Sequence, residues 1–327
     1  MSKIKRNIPI NIIEDLFKKH CNNQITSIKE LNGGTFNLVY KIETKGSDAF
    51  IIKIAPDSNT EVLTYEKNII NNELRFYELM SDAKSIHLPK IYGYDTGENS
   101  RYKYIIMEFI EGDMLNKAKL SKEEYSAVMY NLGIAMAEIH SIIKENSFGY
   151  MQTLSYSTFK QAYKSMTDNV INDGLKMTKT LPCLSEIRTA IDKHSDAFNA
   201  LKESHLVHFD LWPGNLIIKN KELYAIIDCE RCMLGDPIGD FISLDYVAPV
   251  SKAVPEELIK GYNDYAENKL TFNKNELRRF YLMRLYLGLI VYTETYYRCT
   301  KYSPEFIGRL IFGKAVIQNA LKELDKI

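Results

Sequence analysis

Asp210, Asn215 and Asp228 fall within residues 207–230, VHFDLWPGNLIIKNKELYAIIDCE. Two carboxylates and an amide supply the hard oxygen donors that suit a divalent cation, and they leave one carboxylate free to accept a proton. Moving a phosphoryl group calls for such a set, because that chemistry asks a protein mainly for positioning and charge neutralisation. His208 stands two positions before Asp210, and Glu230 two after Asp228.

A loop and a hairpin must position these groups. The apolar runs 216–218 and 223–227, separated by the polar stretch 219–222, predict two short antiparallel strands with Asp228 at the exit of the second. Upstream, 25–31, 38–44 and 49–55 read as strands, joined by a loop with Gly33 and Gly34 and by a turn at 45–48. A helix is expected over 60–81, then strands at 88–94 and 104–110, giving β-β-β-α-β-β up to a hinge at Glu111 and Gly112. Lys53 lies inside the run FIIKIA, where a cation on an otherwise buried strand needs a partner. Glu73 on the expected helix is the first choice and Glu66 the alternative.

Past the hinge the pattern turns helical. Ser121 and Glu124 form a capping box before a stripe of Tyr125, Val128, Met129, Leu132, Met136, Ile139 and Ile143. His140 beside that stripe reads as a hydrogen-bonded core histidine. Residues 145–182 are polar and weakly periodic, so an irregular or short-helical insertion is expected there. Ile187, Ile191, Phe198 and Leu201 mark another helix. Residues 256–268, 274–299 and 304–325 are helical in pattern, with start signals at Asn273/Glu276 and Ser303/Pro304. The fold class is therefore α+β in two lobes: an antiparallel β-rich lobe over 1–111 and a mainly helical one over 112–327.

The apolar fraction, 45% of 327 residues, is enough for cores of that size. Lys plus Arg equal Asp plus Glu at 42 each, leaving no overall field to draw in nucleic acid or an acidic membrane surface. No stretch has the apolar length to cross a bilayer, and the N-terminus lacks the features of a signal peptide. Five scattered cysteines, an odd number, point to reduced thiols and a cytoplasmic location. Cys229 and Cys232 form a C-x-x-C without the second pair that zinc would want.

Asp210 and Asn215 share the D-x-x-x-x-N spacing of the kinase catalytic loop. Residues 207–215 and 226–240 (IIDCERCMLGDPIGD) resemble the motifs of the aminoglycoside phosphotransferase and choline kinase-like family. That family has a protein-kinase-like fold and phosphorylates hydroxyls of small molecules with ATP and magnesium. The lobe order carries the resemblance across nearly the whole chain; its specific motifs are confined to 207–240. The resemblance implies Asp210 as catalytic base, Asn215 and Asp228 as magnesium ligands and His208 as a support of the loop. Glu230 then either meets the metal through water or caps the loop. Asp236 and Asp240 brace the loop, Asp236 by accepting backbone hydrogen bonds. In the first lobe the resemblance implies that Lys53, held by Glu73, grips the α- and β-phosphates. The Gly33–Gly34 loop covers the phosphates, with Thr35 or Asn37 adding a side-chain contact. Residues 107–110 meet adenine through their backbone, Glu108 and Ile110 being the contacts.

The acceptor stays open, since aminoglycosides, choline, fructosamine-type sugars and homoserine are all hydroxyl compounds within reach of this chemistry. LWPGN at 211–215 resembles the fructosamine kinases. Asp245, Asp264, Glu267 and Glu294 would suit an aminoglycoside, and Tyr292, Tyr296 and Tyr297 a quaternary amine. Solvated helix faces and plain packing are the alternatives. The rival class is a nucleotide-binding scaffold without catalysis.

Overall fold

The computed structural model describes the chain except residues 1, 2, 6, 32, 33, 47, 99, 145 and 154 and the side chain of Lys144. Gly33 thus lies outside the described residues. Helix α1 (Ile10–Lys18) leads into β1 (Ile25–Glu30), β2 (Leu38–Thr44) and β3 (Ala49–Ile54), followed by α2 (Ile70–Leu79), β4 (Ile91–Asp95) and β5 (Tyr104–Glu108). These strands form one antiparallel sheet in the order β1-β2-β3-β5-β4.

Strand alternation sorts the residues of this sheet between two helices. Phe50, Ile52 and Ile54 of β3 and Tyr104 and Ile106 of β5 cluster with Ile13, Leu16 and Phe17 of α1. Ile105 and Met107 cluster instead with Leu74 and Phe76 of α2. Lys53, between Ile52 and Ile54, falls on the α2 side by the same period. The helix expected over 60–81 is shorter than that. A single 3-10 turn, Thr64–Glu66, precedes α2, because the Leu63 N–H donates to Glu66 Oε2 at 2.9 Å and Asn68 takes a left-handed φ of 59°.

The rest of the chain is mainly helical, with small strands that carry the loops. In order come β6 (Asp113–Met114), α3 (Lys122–His140), β7 (Ile143–Lys144), β8 (Gly149–Tyr150), α4 (Phe159–Met177) and α5 (Leu184–His194). Then follow β9 (Ser204–Val207), β10 (Leu216–Lys219), β11 (Glu222–Ile226) and β12 (Met233–Gly235). Helices α6 (Val250–Ala253), α7 (Glu256–Tyr265), α8 (Lys274–Arg298) and α9 (Pro304–Leu324) complete it. The α+β class with an antiparallel sheet first and helices after is the observed architecture.

Helix α4 corrects the expectation of an irregular 145–182. Its buried face includes Ala162, Thr167, Asp173 and Gly174 beside Phe159, Tyr163, Met166, Val170 and Ile171, and these small and polar members obscure the period. The helix expected over 187–201 is α5 followed by a 3-10 turn, Ser195–Ala200. Helices α3 and α7 touch backbone to backbone. A Cβ on Gly261 would sit 2.0 Å from Tyr130 O, and one on Gly133 2.3 Å from Leu258 O. The hairpin of β10 and β11 turns on Asn220 and Lys221, both left-handed (φ 52° and 68°), the sense that matches strand twist. Among the described residues no helix is long and apolar enough to cross a membrane, and all five cysteines are free.

Candidate active site

Strand β3 and helix α2 bring the first pair together. Lys53 Nζ donates to Glu73 Oε1 at 2.6 Å and to Asp228 Oδ1 at 2.8 Å. Burial alone would lower the lysine's pKa, but Asp228, Glu73 and Glu230 around it raise it well above the ordinary value. Glu73, fully buried, also accepts from Tyr77 Oη. Glu66, the alternative partner, instead pairs with Arg298 and caps its own turn.

The segment from β9 to β10 holds the other carboxylate. Asp240 Oδ2 accepts from the His208 N–H at 3.0 Å and Oδ1 from the Phe209 N–H at 2.6 Å. This clamp holds Phe209 in a left-handed conformation (φ 63°), which turns Asp210 out of the strand direction. His208 Nδ1 accepts the Asp210 N–H at 3.2 Å while Nε2 faces the Ile227 carbonyl at 3.1 Å. Those partners require the neutral ring with its proton on Nε2. Burial lowers the His208 pKa in the same sense. His208 thereby ties the loop to the strand before Asp228. Asn215 Nδ2 donates to Asp210 O at 2.9 Å and lies 3.4 Å from Asp210 Oδ2, while the Ile227 N–H donates to Asn215 O at 3.0 Å. His140 is a core residue between Tyr262 Oη and Asp240. Asp236 caps Ile238 and pairs with Arg279.

Asp210 is a carboxylate held in a costly place. Burial, then Asp228 and Glu294, push its pKa up to about 6, against the opposing pull of Arg231. Arg231 NH1 stands 3.7 Å from Asp210 Oδ1, and NH2 donates to Glu294 Oε2 at 2.8 Å. Glu294 also pairs with Arg298 and Arg309. The sequence reading missed Arg231, Arg298 and Arg309 altogether. It placed Glu294 on an acidic or solvated face, yet Glu294 is buried. The one signal available was Arg231 lying three residues past Asp228.

The remaining expected contacts are spread around the cleft. Gly34 is exposed, with open space where a Cβ would be. Thr35 accepts from Arg298, and Asn37 Nδ2 donates to Glu230 Oε2 at 2.6 Å. The Glu108 carboxylate accepts the Lys90 N–H and faces His87, and the Glu108 N–H donates to Lys90 O. Ile110 packs on Ile217 and Ala225, where the first sheet meets the β10–β11 hairpin.

The donor set fits a divalent cation. Glu73, Asp228 and Glu230 offer oxygens that all lie within 4.8 Å of one another. Glu73 Oε2 is buried with no hydrogen-bond partner. Burial, Asp228 and Glu73 push the Glu230 pKa up to about 8, the mark of carboxylates crowded beyond what Lys53 neutralises.

The sequence profile of the phosphotransferase enzyme family matches residues 27–278. The chain belongs to that family. Among curated relatives, Altered inheritance of mitochondria protein 9, mitochondrial, of Saccharomyces cerevisiae is 25% identical over 164 residues, 44% of this chain and 25% of that protein. The protein of the same name in Meyerozyma guilliermondii is 26% identical over 146 residues, 42% of this chain and 23% of that protein. This phosphotransferase-family chain therefore spans about a quarter of the length of the curated relatives it matches. Solved structures agree over almost the whole chain. A Ralstonia eutropha protein assigned as an aminoglycoside phosphotransferase superposes with a TM-score of 0.69 at 15% identity, covering 98% of this chain and 99% of that one. The streptomycin–ATP complex of APH(2'')-IIa gives 0.64 at 18%, covering 98% and 99%. A Thermobifida fusca protein assigned as a fructosamine-3-kinase gives 0.66 at 14%, covering 95% and 100%. At these identities what is shared is the kinase-like fold.

Proposed function

We propose that this family member transfers the γ-phosphoryl group of ATP to a hydroxyl of a small molecule. The observation that carries the reading is Lys53 bridging Glu73 and Asp228 at 2.6 and 2.8 Å on one side of the cleft, while the Asp210–Asn215 loop is tied to Ile227, next to Asp228. Residues 1–111 then form the nucleotide-binding lobe and 112–327 the catalytic and acceptor-binding lobe. Lys53, kept in place by Glu73, binds the α- and β-phosphates. The backbone of Gly34 lies over the phosphates, and the backbone at Glu108 and Ile110 meets the adenine. Asp228 and Asn215 would hold magnesium, with Glu230 adjoining. The bound ion would supply positive charge at the phosphate oxygens.

Asp210 orients the acceptor hydroxyl and takes its proton on Oδ1 or Oδ2. Its raised pKa, about 6, is an advantage, since a base works best when its pKa lies near the working pH. Arg231 keeps that carboxylate ionised at neutral pH. Five free cysteines suit a reducing compartment, in keeping with a cytoplasmic protein.

The test is Asp210→Asn. ATP affinity measured by calorimetry stays within about twofold, while ADP formation with a hydroxyl-compound panel falls by at least about 100-fold. Wild-type rates in that variant would sink the assignment. An inert wild type that still binds ATP would favour the scaffold reading.

A further inference from the structure

Residues 34–37 lead into β2, and their side chains reach the C-terminal part of the chain. Thr35 Oγ1 accepts from Arg298 Nη1 at 3.0 Å, and Asn37 Nδ2 donates to Glu230 Oε2 at 2.6 Å. Phe36, between them, is buried, and the Arg298 guanidinium lies over its ring, 5.1 Å from the centroid. Two successive residues of the loop thus rest on one arginine of α8, and a third rests on the turn after Asp228.

Arg298 can serve both neighbours because a guanidinium donates in its plane while its flat face attracts an aromatic ring. In the plane it also pairs with Glu66 and, one helical turn back on α8, with Glu294. Its carbonyl accepts the Lys3 N–H at 2.8 Å, and Ile4 is buried in the same apolar cluster as Phe36. One residue of α8 therefore holds stretches of the N-terminal part at 3, 35–36 and 66. Glu66 closes the turn that precedes α2, the helix carrying Glu73, so the glycine loop and the approach to Glu73 are referred to a single guanidinium. The loop has little of its own to hold it. Gly34 has open space where a Cβ would be, and a glycine loses more freedom on ordering than any other residue.

Resting on the phosphotransferase reading, in which the backbone of this loop covers the nucleotide phosphates, we infer that Arg298 is a positioning residue for the nucleotide. It seats the loop through Thr35 and Phe36 before ATP arrives, so that binding does not have to supply the ordering of the loop.

Calorimetric titration of the full chain with magnesium–ATP, magnesium–ADP and adenosine tests this, because adenosine has no phosphates for the loop to cover. Thr35→Val keeps the shape of the side chain and removes the hydroxyl that Arg298 meets. It is expected to weaken ATP and ADP about 5- to 30-fold, the effect of one lost hydrogen bond to a charged donor, and adenosine less than about twofold. Thr35→Ser restores the hydroxyl and stays within about twofold of wild type. Arg298→Lys keeps a charge for Glu66 and Glu294 but lacks the fork and the flat face, and weakens ATP at least as much as Thr35→Val. In the double variant the loss is clearly smaller than the product of the two single losses, since both remove one shared interaction. Losses that multiply in the double variant overturn the inference, as does ATP affinity that is unchanged or increased in either single variant. Adenosine weakened as much as ATP, or Thr35→Ser no better than Thr35→Val, overturns it as well. Absence of ATP binding by the wild type overturns the phosphotransferase reading too, whereas failure in the variants of a wild type that binds ATP overturns this inference alone.

Discussion

Asp210, the proposed base, shows how a buried carboxylate costs the fold. Its carboxyl titrates at about 6 in the folded chain against an ordinary 3.8, so between those values the folded state binds more protons than the unfolded one. The associated stability is fully present below about 3.8 and is lost as pH rises through about 6. At pH 7.5 the ionised carboxylate therefore destabilises the fold by on the order of 2–3 kcal/mol. Asp210→Asn, inert as a base, is predicted to be more stable than wild type at pH 7.5 by roughly 1–3 kcal/mol, with the gain shrinking toward zero near pH 4. Urea unfolding at the two pH values measures this; a variant less stable at pH 7.5 would show that Arg231 fully compensates the buried charge. Turnover of the wild type should fall as pH drops below about 6, since only the ionised form accepts a proton.

Helix α2 carries Glu73, and the residue beside it fixes the helix in place. Asn72 is fully buried; its Nδ2 donates to Cys232 O at 3.1 Å and lies 3.3 Å from Glu230 O, and its Oδ1 accepts the Gln152 N–H at 3.1 Å. One amide thus sews the helix to the turn that follows Asp228. Asn72→Ala strands those groups and is predicted to cost roughly 2–4 kcal/mol of stability. It should also raise the KM for ATP several-fold, because Glu73 loses its register on Lys53. An unchanged KM in the folded variant would mean that apolar packing alone seats α2. The sequence shows the helix starts well, because a cap is a local signal: Ser121 with Glu124, Asn273 with Glu276 and Ser303 all cap as expected. The D-x-x-x-x-N loop is legible for the same reason, as is Lys53 within its strand. Helix α4 was hidden by the polar residues it buries, and the single helix expected over 60–81 is interrupted ahead of α2 by a left-handed Asn68 that no local pattern announces. The Arg231–Glu294 pair joins residues far apart in the chain, and a buried arginine is written with the same letter as a surface one.

At the scale of the molecule, the sheet and the helical part are joined by buried charge as well as by apolar packing. Arg298 of α8 pairs with Glu66, donates to Thr35 at 3.0 Å and accepts the Lys3 N–H on its carbonyl, while Thr64 bonds Asp173 of α4. Glu294 sits at the centre of this system with Arg231, Arg298 and Arg309. Removing one member of a buried ion set leaves the others uncompensated, which costs more than the set as a whole contributes. Glu294→Gln is therefore predicted to lower stability by roughly 3–5 kcal/mol. Trp212, the chain's single tryptophan, reports on the loop beside Asp210, and far-UV circular dichroism reports on all the helices. If the network couples the two parts, both probes shift together to lower urea in Glu294→Gln; a shift of the Trp212 signal alone would mean that they unfold separately. The same substitution removes a negative charge that raises Asp210 and frees Arg231 to pair with it, so the acid limb of turnover should move to lower pH. An acid limb that stays at about 6 would show that burial by itself sets the pKa of Asp210.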